Sequence, residues 1–89
     1  MNNIYYESIM IGEKIRIIRE ARNKTQKQMS QSLGVSVTTY AKTERGEVDI
    51  TISRLESICK VLKINPAILF LRCNPIQVLG DKINLTELL

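Results

Sequence analysis

The sequence predicts an all-α fold of five helices on three observations. Apolar residues recur at helical spacing: Ile11, Ile15 and Ile18 fall at i, i+4 and i+7, and Ile52, Leu55, Ile58, Cys59 and Leu62 form a second stripe. Thr25, Ser36, Thr51 and Asn65 stand where helices would start, as side chains that accept from free backbone N–H groups. Gly34 and Gly46 stand where two of those helices would stop, at positions that want a left-handed residue.

The first helix is expected from Ile11 to Arg22, with Asn23-Lys24 as its break. Residues 1–9, MNNIYYESI, form an N-terminal extension readable as a flexible arm, a short helix or a strand. The second helix follows Thr25; Gln28, three residues on, completes a capping-box pattern. Met29 and Leu33 give it a buried face, and Gly34 ends it. The third helix follows Ser36 and runs to about Glu44, with Val35 and Tyr40 as core contacts and Arg45-Gly46 as its close. Glu47 to Ile50 is a loop, and Thr51 caps the fourth helix. Asn65-Pro66 then starts a short apolar fifth helix to about Leu71, because Asn caps well and Pro suits the first helical position. Asn74-Pro75 ends it. The domain is thus expected over residues 10–72, with 73–89 as a C-terminal extension. Its residues 76–89 hold apolar clusters around Gly80-Asp81 that fit either a strand or a helix.

A chain of 89 residues makes one domain with short extensions. Its core is small, its stability margin modest, and dimerisation would help. Charge is uneven. Between Gly12 and Gly46 eight basic residues (Lys14, Arg16, Arg19, Arg22, Lys24, Lys27, Lys42, Arg45) face three acids (Glu13, Glu20, Glu44). That balance suits a polyanion, although a solvated charged surface has the same composition. Two cysteines, Cys59 and Cys73, without any histidine, argue against a zinc site, and no metal or cofactor is expected. There is no signal-peptide pattern, and the longest apolar run, about six residues around Ala67 to Leu71, is too short for a bilayer. The expectation is a cytosolic protein with reduced thiols and no membrane contact. Without histidine, a paired-carboxylate constellation or a Gly-rich phosphate loop, it is not expected to be an enzyme.

The most informative stretch is Thr25 to Gly46, TQKQMSQSLGVSVTTYAKTERG. It reads as two short helices joined by a tight turn at Leu33-Gly34-Val35. The second of them carries small hydroxyl residues and a lysine outward. That is the layout of a helix-turn-helix, whose second helix lies in the DNA major groove.

Residues 11–71 resemble the lambda-repressor-like, Cro/repressor-type helix-turn-helix family. The matching stretches are IGEKIRIIREA, TQKQMSQSLGVS, the segment ending ERG, and TISRLESICKVLKINPAILF, with helices, caps and glycines in order. The resemblance implies a bundle of five short helices that binds operators, most often as a dimer on a palindromic site. It aligns Gln26 with the family's phosphate-binding glutamine, Val37, Thr38 and Lys42 with its base readers, and Arg19 and Glu44 with an ion pair joining the first helix to the end of the third. The chain departs from the family at four places. Ser30 replaces a usual Ala, Tyr40 a usual Ile or Val, Thr43 a large apolar residue, and Cys59 a core Ala. The Tyr40 ring is expected to fill the volume that Thr43 leaves.

Beside the resemblance, residue chemistry adds Lys27 and Arg45, with Lys24, as phosphate contacts, and Thr39 as a phosphate or base contact. The reading set has no Arg, Asn or Gln for a bidentate base contact. Val37 and the threonine methyls suit thymine methyl groups, and Lys42 reaches guanine or phosphate. DNA shape is expected to supplement this modest code. Packing alone is the alternative role for Val37. The expected function is sequence-specific double-stranded DNA binding by a homodimeric transcriptional regulator, a repressor of bacterial or phage type. The alternative is an antitoxin-type autoregulator or a protein-interaction module that uses the apolar C-terminal segment on a protein partner.

Overall fold

The computed structural model describes residues 3–71. Four α-helices and one 3-10 helix follow one another: α1 (Asn3–Ala21), α2 (Gln26–Leu33), α3 (Val37–Glu44), α4 (Ile52–Leu62), then the 3-10 helix Pro66–Phe70. α2 packs on α3 and α4, α1 packs on α3 and the 3-10 helix, and α4 closes on the 3-10 helix. Ile15, Ile18, Met29, Tyr40, Ile58, Cys59, Leu62, Ile68 and Leu69 form the core between them. No helix among the described residues is long and apolar enough to cross a membrane. The C-terminal extension 73–89, with Cys73 and the Asn74-Pro75 stop, lies outside the described residues.

Local chemistry sets both ends of most elements. The Thr25 hydroxyl accepts from Gln28 N (3.0 Å) while Thr25 N donates to Gln28 Oε1 (2.8 Å), a reciprocal pair that satisfies two orphan donors. Ser36, Thr51 and Asn65 cap α3, α4 and the 3-10 helix through their side-chain oxygens. The stops share one device. After each α-helix the chain passes through a left-handed residue: Asn23, Gly34, Gly46 or Lys63. The following N–H then returns to a carbonyl in the last helical turn: Lys24 to Arg19, Val35 to Ser30, Glu47 to Lys42, and Ile64 to Cys59. Glycine takes this conformation without steric cost and asparagine tolerates it, whereas Lys63 adopts it with a full side chain.

Three expectations change. The fifth helix is not an α-helix, so the bundle has four α-helices and a 3-10 turn. Five residues opened by a proline hold little more than one turn, and Ile68 N bonds Asn65 O at 3.1 Å in the i→i+3 pattern. The first helix starts at Asn3 rather than Ile11. Of the three readings open for residues 1–9, a helix is found for 3–9; no Pro or Gly lies between residues 3 and 11 to interrupt it. Ile52 is 76% exposed and does not join the buried stripe of α4. It is the first residue of its helix, and the packed elements cover only later turns, at Ile58, Cys59 and Leu62.

The small departures from the family pattern are accommodated. Ser30 is buried, and its hydroxyl donates to Lys27 O at 2.8 Å, so no polar group is stranded. Tyr40 and Thr43 are both buried on α3, and Thr43 Oγ1 donates to Thr39 O at 3.2 Å. Cys59 sits in the core, where burial pushes its thiol up to about 11 and keeps it a small inert hydrophobe.

Two stability measurements check this account. Tyr40→Val leaves a cavity in the core and should lower unfolding free energy by roughly 1–3 kcal/mol in urea titration. Lys63→Gly relieves the left-handed strain at the end of α4 and should raise it by about 0.5–1 kcal/mol despite the added freedom of the unfolded chain.

Candidate nucleic-acid interface

The α2-turn-α3 unit is held as one piece. Gly34 at φ 71° lets the chain reverse in three residues, and both helices carry a side-chain cap at their N-termini. α3 then offers two unlike faces. Tyr40, Thr43 and Glu44 point inward, whereas Thr38, Thr39 and Lys42 are exposed and Val37 is 42% exposed. The outward face is the one a groove would meet.

What fixes α3 in the bundle is polar. Arg19 Nε donates to Glu44 Oε2 at 2.7 Å and Arg19 Nη2 donates to Glu44 Oε1 at 3.2 Å. The two side chains are 9% and 1% exposed, so the pair is a buried bidentate clamp between α1 and the last turn of α3. The bond to Glu44 raises the Arg19 pKa further above its already high value. Arg19 Nη1 also donates to Lys24 O at 2.8 Å, which ties the break after α1 to the same guanidinium.

Beside the clamp the backbones nearly touch. A Cβ built on Gly12 would lie 2.6 Å from Thr43 O and closer still to Glu44 O. No other residue lets α1 sit that close to the end of α3. Sequence reading passed over this position, though a glycine inside a helical pattern is itself a signal of close backbone approach.

The candidate phosphate contacts fall into two groups. Lys27 and Thr39 are exposed. The Thr39 hydroxyl accepts from Ser36 Oγ at 2.9 Å, which leaves its own proton free to donate outward. Gln26 and Arg45 are engaged within the protein. Gln26 Nε2 donates to Glu44 Oε1 at 3.1 Å, so its amide is part of the Arg19–Glu44 cluster. Arg45 pairs with Glu47 on the surface, and that bond holds the Glu47 carboxyl below the usual carboxylate range. Lys24 is half-buried at the end of α1.

Some of the basic side chains counted in the sequence, Lys14 and Arg22 among them, bond backbone carbonyls of the fold, as Arg54 does. Lys14 Nζ donates to Leu69 O (3.2 Å) and to Leu71 O, at the end of the 3-10 helix. Arg22 Nε donates to Leu62 O (3.2 Å), at the end of α4. Arg54 Nη1 donates to Leu33 O (3.3 Å), at the end of α2. Three cations thus cap three helix ends across tertiary contacts, where last-turn carbonyls and the helix dipole both favour positive charge. Arg16 is paired with Glu13 and Glu20 along α1. Among the candidates, Lys24, Lys27 and Lys42 make no ion pair among the described residues.

A family model described as helix-turn-helix matches residues 15–69, which runs from the core of α1 through the 3-10 helix. The chain belongs to the helix-turn-helix family. Among its relatives, a protein of Vibrio cholerae named as the cryptic phage CTXphi transcriptional repressor RstR is 42% identical over 55 residues, covering 62% of this chain and 49% of that protein. An uncharacterised helix-turn-helix transcriptional regulator, y4wC of Sinorhizobium fredii, is 33% identical over 60 residues, covering 67% of this chain and 42% of its own length. The chain therefore spans less than half the length of each. The clp gene regulator ClgR from C. glutamicum has the same fold, with a TM-score of 0.69 at 21% identity over 86% of this chain and 94% of its own.

The clamp yields a direct test. Arg19→Ala leaves Glu44 charged and buried without its main partner, which costs about 3–5 kcal/mol in stability. Thermal unfolding should show a large drop in melting temperature; a drop of the size seen for an exposed ion pair would reduce the clamp to a surface contact.

Proposed function

We propose that this helix-turn-helix protein binds double-stranded DNA sequence-specifically, as a homodimeric repressor in the bacterial cytosol or nucleoid. The observation that carries the reading is the division of α3: Tyr40 and Glu44 lock it into the bundle, and Val37, Thr38, Thr39 and Lys42 stand exposed on one short, rigid helix. Val37 and Thr38 meet thymine methyl groups, and Lys42 donates to guanine acceptors. Lys27 and Thr39 take backbone phosphates, joined by Gln26 at the start of α2, where free N–H groups favour an anion. Arg45 joins them by exchanging Glu47 for a phosphate.

One such unit covers few base pairs, and its base code is sparse. Two copies on half-sites about 34–36 Å apart supply the remaining affinity. Repression is the outcome named for RstR, and occlusion of a promoter is a means open to a DNA-reading unit.

Selection of bound duplexes from a random library, at about 150 mM salt where phosphate contacts alone are weak, tests the reading. A palindromic site should emerge, and Lys42→Ala should relax its sequence at one position per half-site. Binding confined to low salt, with no motif, would replace the regulator with a protein-interaction module.

A further inference from the structure

Tyr40 carries a polar atom that the resting structure does not use. Its hydroxyl is buried and, among the described residues, has no hydrogen-bond partner. A buried hydroxyl without a bond is costly, and phenylalanine would give the same ring without that cost. The hydroxyl lies beside Glu44 and Arg19. Burial, with the Glu44 carboxylate adding to it, pushes its pKa well above the ordinary phenol value, and the hydroxyl makes no hydrogen bond among the described residues. Tyr40 and Glu44 are one turn apart on α3 and both face inward, so they are neighbours by construction.

Glu44 Oε1 has two donors: Arg19 Nη2 and Gln26 Nε2. Arg19 is fixed by three bonds. Gln26 is the partly exposed one of the two, at the start of α2. On the DNA-binding reading above, on which this inference rests, its amide also meets a backbone phosphate. Turning outward removes a donor from a buried carboxylate at the moment a second negative charge arrives.

We propose that Tyr40 is a positioning residue for the DNA-bound state: its hydroxyl donates to Glu44 when the Gln26 amide turns to phosphate. The exchange keeps the Arg19–Glu44 clamp fully bonded, so α3 does not shift as the phosphate is taken. Tyr40 touches no DNA; it acts through Glu44. The hydrogen is conserved in the exchange, one donor replacing another on the same oxygen.

Tyr40→Phe tests this in the full chain. Thermal melts and binding to the selected operator duplex are measured for wild type, Tyr40→Phe, Gln26→Ala and the double variant. Tyr40→Phe should melt at or above the wild-type temperature, since it removes an unpaired buried hydroxyl. It should bind the operator roughly three- to tenfold more weakly, the size of one net hydrogen bond. In the Gln26→Ala background the same substitution should cost nothing, because no amide leaves Glu44 on binding. Equal operator affinity of Tyr40→Phe and wild type overturns the inference alone, as does an equal loss in both backgrounds. Wild-type protein that binds no duplex even at low salt overturns the DNA-binding reading and the inference with it.

Discussion

The Arg19–Glu44 clamp is the contact on which the rest of the molecule depends. α3 is eight residues long and too short to be stable or well placed by itself. Its position relative to α1 is set at one end by two charged hydrogen bonds and by the absence of a side chain at Gly12. Apolar packing of Tyr40 supplies burial, but apolar contacts are not directional, whereas a bidentate guanidinium–carboxylate pair fixes both distance and angle. The two features need each other. A side chain at Gly12 would push α1 away from the end of α3, where the clamp is made, and removal of Arg19 would leave a buried Glu44 without its main partner.

The same cluster couples structure to the proposed interface. Gln26 is at once the first residue of α2, a donor to Glu44 and a candidate phosphate contact. On the proposed reading, a phosphate would meet a group that already belongs to the core network. Rigid placement of a few weak readers is one way a sparse reading face gains specificity, since threonine and valine contacts are worth little unless the helix is held in register.

Charge is used more economically than composition implies. A basic N-terminal half reads as an electrostatic footprint, yet Lys14 and Arg22 within it, like Arg54 beyond it, are turned to the carbonyl ends of other helices. A domain of this size has little apolar area with which to fix its helix ends. Long cationic side chains, apolar along the stem and charged at the tip, do that work across distances that short caps cannot span. On the proposed reading, fewer residues, Lys27 and Lys42 foremost, would then carry the attraction for DNA and set its salt dependence.

Sequence alone determined the helix starts at Thr25, Ser36, Thr51 and Asn65, the glycine stops at Gly34 and Gly46, and the helix-turn-helix between them. These are local signals: a cap bonds an N–H two or three residues away, and a left-handed stop returns a bond within six residues, so neighbours in sequence suffice to read them. The Arg19–Glu44 geometry was reached through family resemblance rather than from spacing. Tertiary structure alone decided what Lys14, Arg22 and Arg54 bond, because their partners lie 55, 40 and 21 residues away. It also decided that Ile52 faces water although it keeps the period of α4, since periodicity assigns a face but not what covers it. The last element became a 3-10 turn for a related reason: a cap and a proline announce a start, but they do not fix how far the turn runs or which bonds close it. Whether a polar group is paired or left waiting, as at the Tyr40 hydroxyl, is a property of the assembled core and of no segment within it.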